Sequence, residues 1–491
     1  MSLTEQLQNI LDSLGGVGAE LWLGMLFCGL LVAELILLRQ TDVATARRWL
    51  TGIAVAGLLA AGGLAIAETE RGSLFMNMFF LDRQALLFKA IVTLGAIAVL
   101  LWATGTSASL APRRPLPTEW YVLLVGMVLG LYLLTMAVNL LVIYLSIELV
   151  SIASYLLTGL VADRKAAEGG LKYLLFGAVS SAIMLYGMSL LYGLTGTLDV
   201  TSDGFAGLLA QGGPVALVAG LLTLAGVLFK LSAVPFHIWT PDAYEAAPIP
   251  VAAFFSIGPK AAALLVLMRL LSAGPSAEMQ TPLAVVALAG ILLGNLSALR
   301  QTDAKRLLAY STIAQAGFLL VGVVALNESG FEAATFYVAT YLFITLAAFF
   351  LIDALAPNGS LRIADFAGRF SAAPLLGVCL TVVMLALTGL PPTVGFTAKL
   401  LSFSALFEAY QTTGNPWLIW LYGIGLANVV VSLFYYLRIP FLLIFRPVPA
   451  GAVLQPIRLT AGQWVALAIT VPPVVLLFLK PDWLLRLIAD L

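Results

Sequence analysis

Glu148, Lys230, Lys260 and Lys399 each stand inside an otherwise apolar stretch of this chain. A charge deep in hydrocarbon costs roughly 2.5–3.5 kcal/mol on insertion scales. Groups kept at that cost handle ions, pair with one another, or both. Lys230 sits near the end of the run Leu221–Leu231 and is followed at once by Ser232-Ala233-Val234-Pro235-Phe236-His237. Proline removes a backbone donor and breaks a helix, which lipid tolerates only where protein or a wet cavity covers the freed groups. Lys230 therefore reads as an ion-handling group beside a discontinuous helix. Lys399 follows a second break, Gly389-Leu390-Pro391-Pro392, and Lys260 directly follows Pro259.

The chemistry such residues suit is proton relay. Each relay group needs two protonation states close in energy. Desolvation disfavours the cation of a lysine, and a carboxylate moving nearer favours it again. Glu148 supplies that carboxylate, with Ser151 and Tyr155 on its helical face. Tyr310, Ser311, Thr312 and Gln315, with Thr340, Tyr341 and Thr345, can hold ordered water between Lys260 and Lys399. The row Glu148–Lys230–Lys260–Lys399 would run laterally within the membrane, with access from each side at the breaks.

Blander alternatives stand beside this reading. Glu148 and Lys230 can form a structural ion pair, and Lys260 and Lys399 can bind carbonyls freed by the prolines. Lys172 lies close to Asp163, Arg164, Lys165 and Glu168 and can snorkel to the surface. Lys89 and Arg269 read as snorkelling or structural, and Glu34 as an interface carboxylate or subunit contact. His237, the only histidine, is either a relay group at the cytoplasmic entrance or a cap on the helix break.

The elements that must position these residues follow from composition. The chain is 61% hydrophobic and 10% charged, against about 25% charged in soluble domains. Its mean hydropathy is +1.03. Such a chain cannot cover a water-facing surface, so an all-α polytopic membrane protein is expected, embedded in the lipid bilayer. No basic domain is present to bind nucleic acid. Cys28 and Cys379, far apart in apolar segments, read as packing residues, and a single histidine argues against haem or histidine-based metal sites. No phosphate loop, dinucleotide-binding glycine pattern or cysteine cluster appears, so no cofactor is expected in this chain. The N-terminus carries Glu5 and Asp12 and lacks a basic n-region, so the first span is expected to be retained.

At about 20 residues per crossing, fourteen transmembrane helices are expected. The seventh (214–240) and twelfth (371–408) are discontinuous, at Pro235 and at Gly389-Leu390-Pro391-Pro392. They lie an odd number of spans apart and so cross in opposite directions, the pointer to inverted repeats. The reading is a single membrane domain, 1–491, with three N-terminal spans in 1–118. A first inverted repeat of spans 4–8 follows in 119–272, a second of spans 9–13 in 280–437, and a C-terminal span in 438–491. Loops after odd spans carry fifteen basic residues, Arg113 and Arg114 among them, and those after even spans, with the tails, carry four. The positive-inside rule makes the former cytoplasmic and puts both termini on the outer side.

At these residues a family becomes recognisable. The stretch from Phe229 to Pro248 resembles the signature of the antiporter-like subunits of respiratory complex I. Tyr244-Glu245-Ala246-Ala247-Pro248, followed by Ser256-Ile257-Gly258-Pro259-Lys260, is most similar to the subunit N (mitochondrial subunit 2) type. Ile147-Glu148-Leu149, Gly170-Leu171-Lys172-Tyr173 and the run from Gly389 to Lys399 fit that type too. The likeness covers roughly spans 3–13; Thr240 departs from it, where related subunits often have leucine. The resemblance implies a proton-translocating, non-redox subunit in the membrane arm of a bacterial inner-membrane NADH:quinone oxidoreductase, a translocase. It also implies a hetero-oligomer in which FMN, iron–sulfur clusters and quinone belong to partner subunits. By position, Glu148 and Lys230 match the family's coupling pair, Lys260 its central relay lysine and Lys399 its outer-channel lysine. Lys172 matches a further family lysine. The alternative is a subunit of a Mrp-type sodium/proton antiporter, which shares Glu148, Lys230 and the broken helices. The Ala246-Ala247-Pro248 region and the short C-terminal tail favour the first.

Overall fold

Short polar residues open the helices and glycines close them. Asp42, Asn139, Asp163, Asp303, Asn327 and Asn415 accept backbone N–H bonds as N-caps, and Thr460 with Gln463 forms a capping box. Gly196, Gly389 and Gly414 end helices in the left-handed conformation that other residues adopt only with strain. The computed structural model describes residues 3–68, 71–103, 116–211, 213–273, 276–356, 359–448 and 457–490. Arg113 and Arg114, counted in the basic loops, lie outside the described residues.

The chain opens with α1 (Leu3–Ser13), α2 (Gly18–Gln40) and α3 (Val43–Ala67). A small hairpin of β1 (Gly72–Leu74) and β2 (Phe79–Leu81) follows, with Gly72 opposite Leu81, and then α4 (Arg83–Ala103). The first half continues through α5 (Trp120–Met136), α6 (Leu140–Thr158), α7 (Arg164–Thr195), α8 (Asp203–Gln211) and α9 (Gly213–Leu231). It ends with α10 (Trp239–Ala246), α11 (Ile249–Phe255) and α12 (Gly258–Ala273). The second half runs through α13 (Ser276–Leu299), α14 (Ala304–Val324), α15 (Glu328–Leu355), α16 (Pro374–Thr388), α17 (Val394–Thr413), α18 (Pro416–Tyr436) and α19 (Arg438–Phe445). Three helices close the chain: α20 (Ala461–Thr470), α21 (Pro472–Leu479) and α22 (Asp482–Ala489).

Twelve helical segments among the described residues are long and apolar enough to cross a membrane, and the shorter α5 and α16 are also apolar. Their burial differs by position. The most apolar window of Ile249–Ala273 is 100% buried within the chain, and those of Ala304–Val324 and Glu328–Leu355 are 94% buried. The first segment, Thr4–Gln40, is 22% buried. So α11, α12, α14 and α15 form the centre, and the outer helices turn Leu, Ile, Val and Phe outward, as a lipid-facing surface requires. α5 packs on α6 and α12, and α7 on α9 and α10; correspondingly, α13 packs on α14 and α18, and α15 on α16 and α17. The last helices cover α4, α15 and α17.

Candidate functional site

Lys230 occupies the last turn of α9, almost fully buried. Its Nζ lies 5.9 Å from the ring centre of Tyr155, 5.6 Å from Tyr173 and 5.6 Å from Phe229, distances at which ring faces attract a cation. Glu148, on α6, accepts a hydrogen bond from Ser181 of α7 and makes no direct ion pair with Lys230. α6 and α7 approach closely here because Gly177 has no Cβ: one would overlap the Tyr155 hydroxyl.

Beyond Leu231 the chain leaves helical geometry until Trp239, and Ser232 takes φ 59°. Lys230 Nζ, Ser232 Oγ, His237 Nδ1, Trp239 Nε1, Thr240 Oγ1 and Tyr244 Oη lie in or beside this break. They are six of the twelve buried side-chain polar atoms that lack a hydrogen-bond partner among the described residues. Native interiors pair such atoms with protein or water, so this concentration marks a wettable path or groups that exchange partners. The Tyr244 ring packs toward α11 and α15, 6.4 Å from Phe255 and 6.3 Å from Phe349.

Lys260 sits in the first turn of α12, after a short interruption at Ser256 and Ile257, and is fully buried. It donates to the Thr312 carbonyl of α14 at 2.9 Å, not to a carbonyl freed by Pro259. Around it Ser256 Oγ lies 3.0 Å from Thr345 Oγ1, and Thr312 Oγ1 lies 3.4 Å from the Tyr341 hydroxyl. One turn along α14, Gln315 is the hub of the next segment. Its Nε2 donates to the Leu387 carbonyl at 2.8 Å and to the Tyr436 hydroxyl at 2.9 Å, and Tyr337 donates to its Oε1. Ser311 Oγ lies 2.5 Å from the Tyr436 hydroxyl.

Lys399, on α17, donates to the carbonyls of Leu387 (3.1 Å) and Thr388 (2.6 Å), and its Nζ lies 4.4 Å from the Phe318 ring centre. Those carbonyls belong to the last turn of α16, which has no helical donors left to offer them. Lys399 thus makes the contact to freed carbonyls that the blander reading describes, and it shares the Leu387 oxygen with Gln315. Gly389 closes α16 at φ 89°, where a Cβ would meet Lys399 Cδ at 2.7 Å. Lys230 precedes its break and Lys399 follows its own, so the two do not occupy matching positions.

Lys172 lies elsewhere, in a half-exposed ion cluster. It pairs with Glu168 at 2.8 Å and Asp242 at 3.0 Å. Arg306 reaches Asp242 (3.1 Å) and Glu245 (2.5 Å), and Lys165 reaches Glu245 (2.6 Å). Lys305 Nζ donates to the carbonyls of Glu245 and Ala247 at the end of α10. The cluster holds α10 against α7 and α14. Partial burial raises the Glu245 carboxyl, but Lys165 and Arg306 outweigh it and hold the group below the usual carboxylate range.

Of three side residues, Lys89 and Arg269 take the structural alternative, and Glu34 departs from its reading as an interface or subunit contact. Lys89 does not snorkel: it is fully buried and pairs with Glu20 at 2.8 Å and Glu68 at 3.6 Å. Arg269 grips both oxygens of Asp82 and the Thr135 carbonyl. Glu34 is buried inside the chain, accepting from Thr118. Sequence reasoning missed Tyr337 and Tyr436, whose aromatic type reads as packing or as a membrane interface residue. It also missed Tyr435, which donates to Asn295 at 2.8 Å.

An all-helical membrane bundle with interrupted helices and buried lysines at the interruptions is the antiporter-like class of membrane subunit. Residues 137–425 match the family described as NADH:quinone oxidoreductase/Mrp antiporter, transmembrane, and the chain belongs to that family. Similar proteins include NADH-quinone oxidoreductase subunit N of Anaeromyxobacter sp. (strain Fw109-5), 39% identical over 446 residues, covering 85% of each chain. A chain of respiratory complex I from Thermus thermophilus matches with a TM-score of 0.79 at 28% identity, over 95% of this chain and 98% of that one. A chain of the Mrp complex from Dietzia sp. DQ12-45-1b shares the fold, with a TM-score of 0.79 at 22% identity over 97% and 96%.

Proposed function

We propose that this chain is the subunit-N-type antiporter-like component of the membrane arm of a bacterial NADH:quinone oxidoreductase. It moves protons while quinone is reduced in other subunits. The observation that carries the relay is the run of polar groups from Lys230, past partnerless Ser232, Trp239 and Tyr244, to Lys260, Thr312, Gln315 and Lys399. Glu148 tunes the near end, Lys230 and Lys260 pass protons along, and Lys399 serves the far end. His237 serves as the entry group at the break, and Lys172 acts from the surface cluster, through Asp242 on α10. The chain's own residues bind and hand on protons; flavin, iron–sulfur clusters and quinone are held by partner subunits.

Fourteen crossings account for the helices: the twelve long segments, α5, and one more made of α16 with α17. The seventh, 214–240, is interrupted at Pro235, ahead of its last residues Trp239 and Thr240, and the twelfth between α16 and α17. The matching contacts of α5 with α6 and α12, and of α13 with α14 and α18, support two inverted repeats over 119–272 and 280–437. The excess of basic residues in odd loops supports a reading with both termini on the outer side of the bacterial membrane. The Mrp reading is weaker, because the relatives at 39% identity carry oxidoreductase names while the Mrp chain is alike in fold only.

The test is the assembled complex in proteoliposomes. Lys230→Ala and Glu148→Ala leave assembly intact and lower quinone-coupled proton uptake several-fold. Normal pumping by an assembled Lys230→Ala complex overturns the relay.

A further inference from the structure

Of the six other buried atoms in that set, four meet as an ion-pair cluster outside the lysine row: Glu20 Oε1 and Oε2, Glu68 Oε2 and Lys89 Nζ. Glu20 lies in the first turn of α2, Glu68 directly after α3, and Lys89 in the second turn of α4. Their exposures are 5%, 9% and 0%. Lys89 Nζ is 2.8 Å from Glu20 Oε1, 3.6 Å from Glu68 Oε2 and 5.4 Å from the Tyr132 ring centre on α5. Glu68 Oε1 accepts from the Ala19 N–H at 3.1 Å, and Glu20 Oε2 accepts nothing.

The charges do not balance. Two carboxylates and one ammonium leave one negative charge in a buried site, an arrangement that burial penalises heavily. No other described cation is available to cancel it. Arg71 and Arg83 are exposed, Arg39, Arg47 and Arg48 sit toward the opposite ends of α2 and α3, and Lys260 and Arg269 of α12 are taken by the Thr312 carbonyl and Asp82. On α5 the Tyr132 hydroxyl is engaged by Thr93; α11 and α20, which also neighbour α4 or its end, carry no charged side chain.

We infer that Glu20, Glu68 and Lys89 form a proton-binding site, holding one exchangeable proton between the two carboxylates while Lys89 keeps its charge. No bond but O–H changes: the proton enters from water and sits on one carboxyl oxygen, Glu20 Oε2 being free to take it. Glu68, just past the end of α3 and the least buried of the three, is where the proton enters. The inference does not rest on the lysine relay, which uses none of these residues.

Infrared difference spectroscopy of the assembled complex at neutral pH tests it. Glu68→Gln and Glu20→Gln each leave a neutral pair with Lys89, so each loses the C=O band of one protonated carboxyl, shifted in deuterium oxide. Lys89→Gln removes the ammonium and increases that band about twofold, as two facing acids must then stay protonated. If Glu68→Gln does not assemble, Glu20→Gln and Lys89→Gln read the same charge balance in opposite directions. Spectra of the Gln variants identical to the parent overturn the site, as does a band that sodium chloride abolishes and choline chloride does not, which would mean a metal cation sits there.

Discussion

Gln315 does the work of three residues: it joins α14 to the end of α16, to α15 and to α18 through Leu387, Tyr337 and Tyr436. Removing this buried amide leaves the Tyr337 hydroxyl unpaired, at about 1–3 kcal/mol, while the Leu387 carbonyl keeps Lys399 and the Tyr436 hydroxyl keeps Ser311. Gln315→Leu is therefore expected to lower the thermal midpoint of the assembled complex and to cut coupled pumping, both measured against Gln315→Glu, which keeps the acceptor. Loss of stability with unchanged pumping would make Gln315 a strut outside the proton path. The charged members of this row are legible as letters: a lysine in an apolar run stands out, and Lys230, Lys260 and Lys399 need no structure to be singled out. Tyr337 and Tyr436 are not, because a tyrosine in a membrane helix has the same letter whether its hydroxyl meets Gln315 or a headgroup.

At the scale of elements, the half-turned segment α10 is held by charges drawn from three places in the sequence: Lys165 and Lys172 on α7, Lys305 and Arg306 on α14, and its own Asp242 and Glu245. Glu245 lies beyond the seventh span, and its folded carboxyl is held below the unfolded value. Its contribution is complete above the unfolded pKa and is lost as pH falls through the lower, folded one. Hydrogen exchange of residues 239–247 is expected to quicken as pH falls below the carboxylate range, after correction for intrinsic rates. Glu245→Gln shows the quicker rate already at neutral pH. Equal protection in both proteins would mean that apolar packing alone seats α10. The proline break that frees this segment is written in the sequence, at Pro235, as is the second break at Pro391-Pro392. The interruption at Ser256 and Ile257, the hairpin β1–β2 and the cluster itself are not: a two-residue turn has little local pattern, and ion pairs 70 positions apart exist only once the chain has folded.

For the molecule as a whole, number, length and polarity of helices follow from hydropathy, since lipid leaves a backbone few other options. What hydropathy hides is depth within the bundle. Glu20, Glu68 and Lys89 stand near the ends of their spans and read as interface charges, although they are buried together. Gentle detergent extraction is expected to bring this chain out with flavin- and iron–sulfur-bearing partners, detected by absorbance and mass spectrometry. A preparation of membrane subunits alone would identify an antiporter. The apolar window of Ile249–Ala273 is wholly buried, with Arg269, Leu270, Ser272 and Ala273 reaching the surface at its end, and α14 and α15 are scarcely exposed, whereas α2, α18 and α20 meet the surroundings along most of their length. A bilayer thinner or thicker than the protein's own hydrophobic belt is therefore met by tilting of those outer helices, at fractions of a kcal/mol per ångström. The inner trio, with Lys260 and Gln315 on it, is shielded from that adjustment, so turnover should stay level across phospholipids of different acyl length while the outer shell absorbs the mismatch.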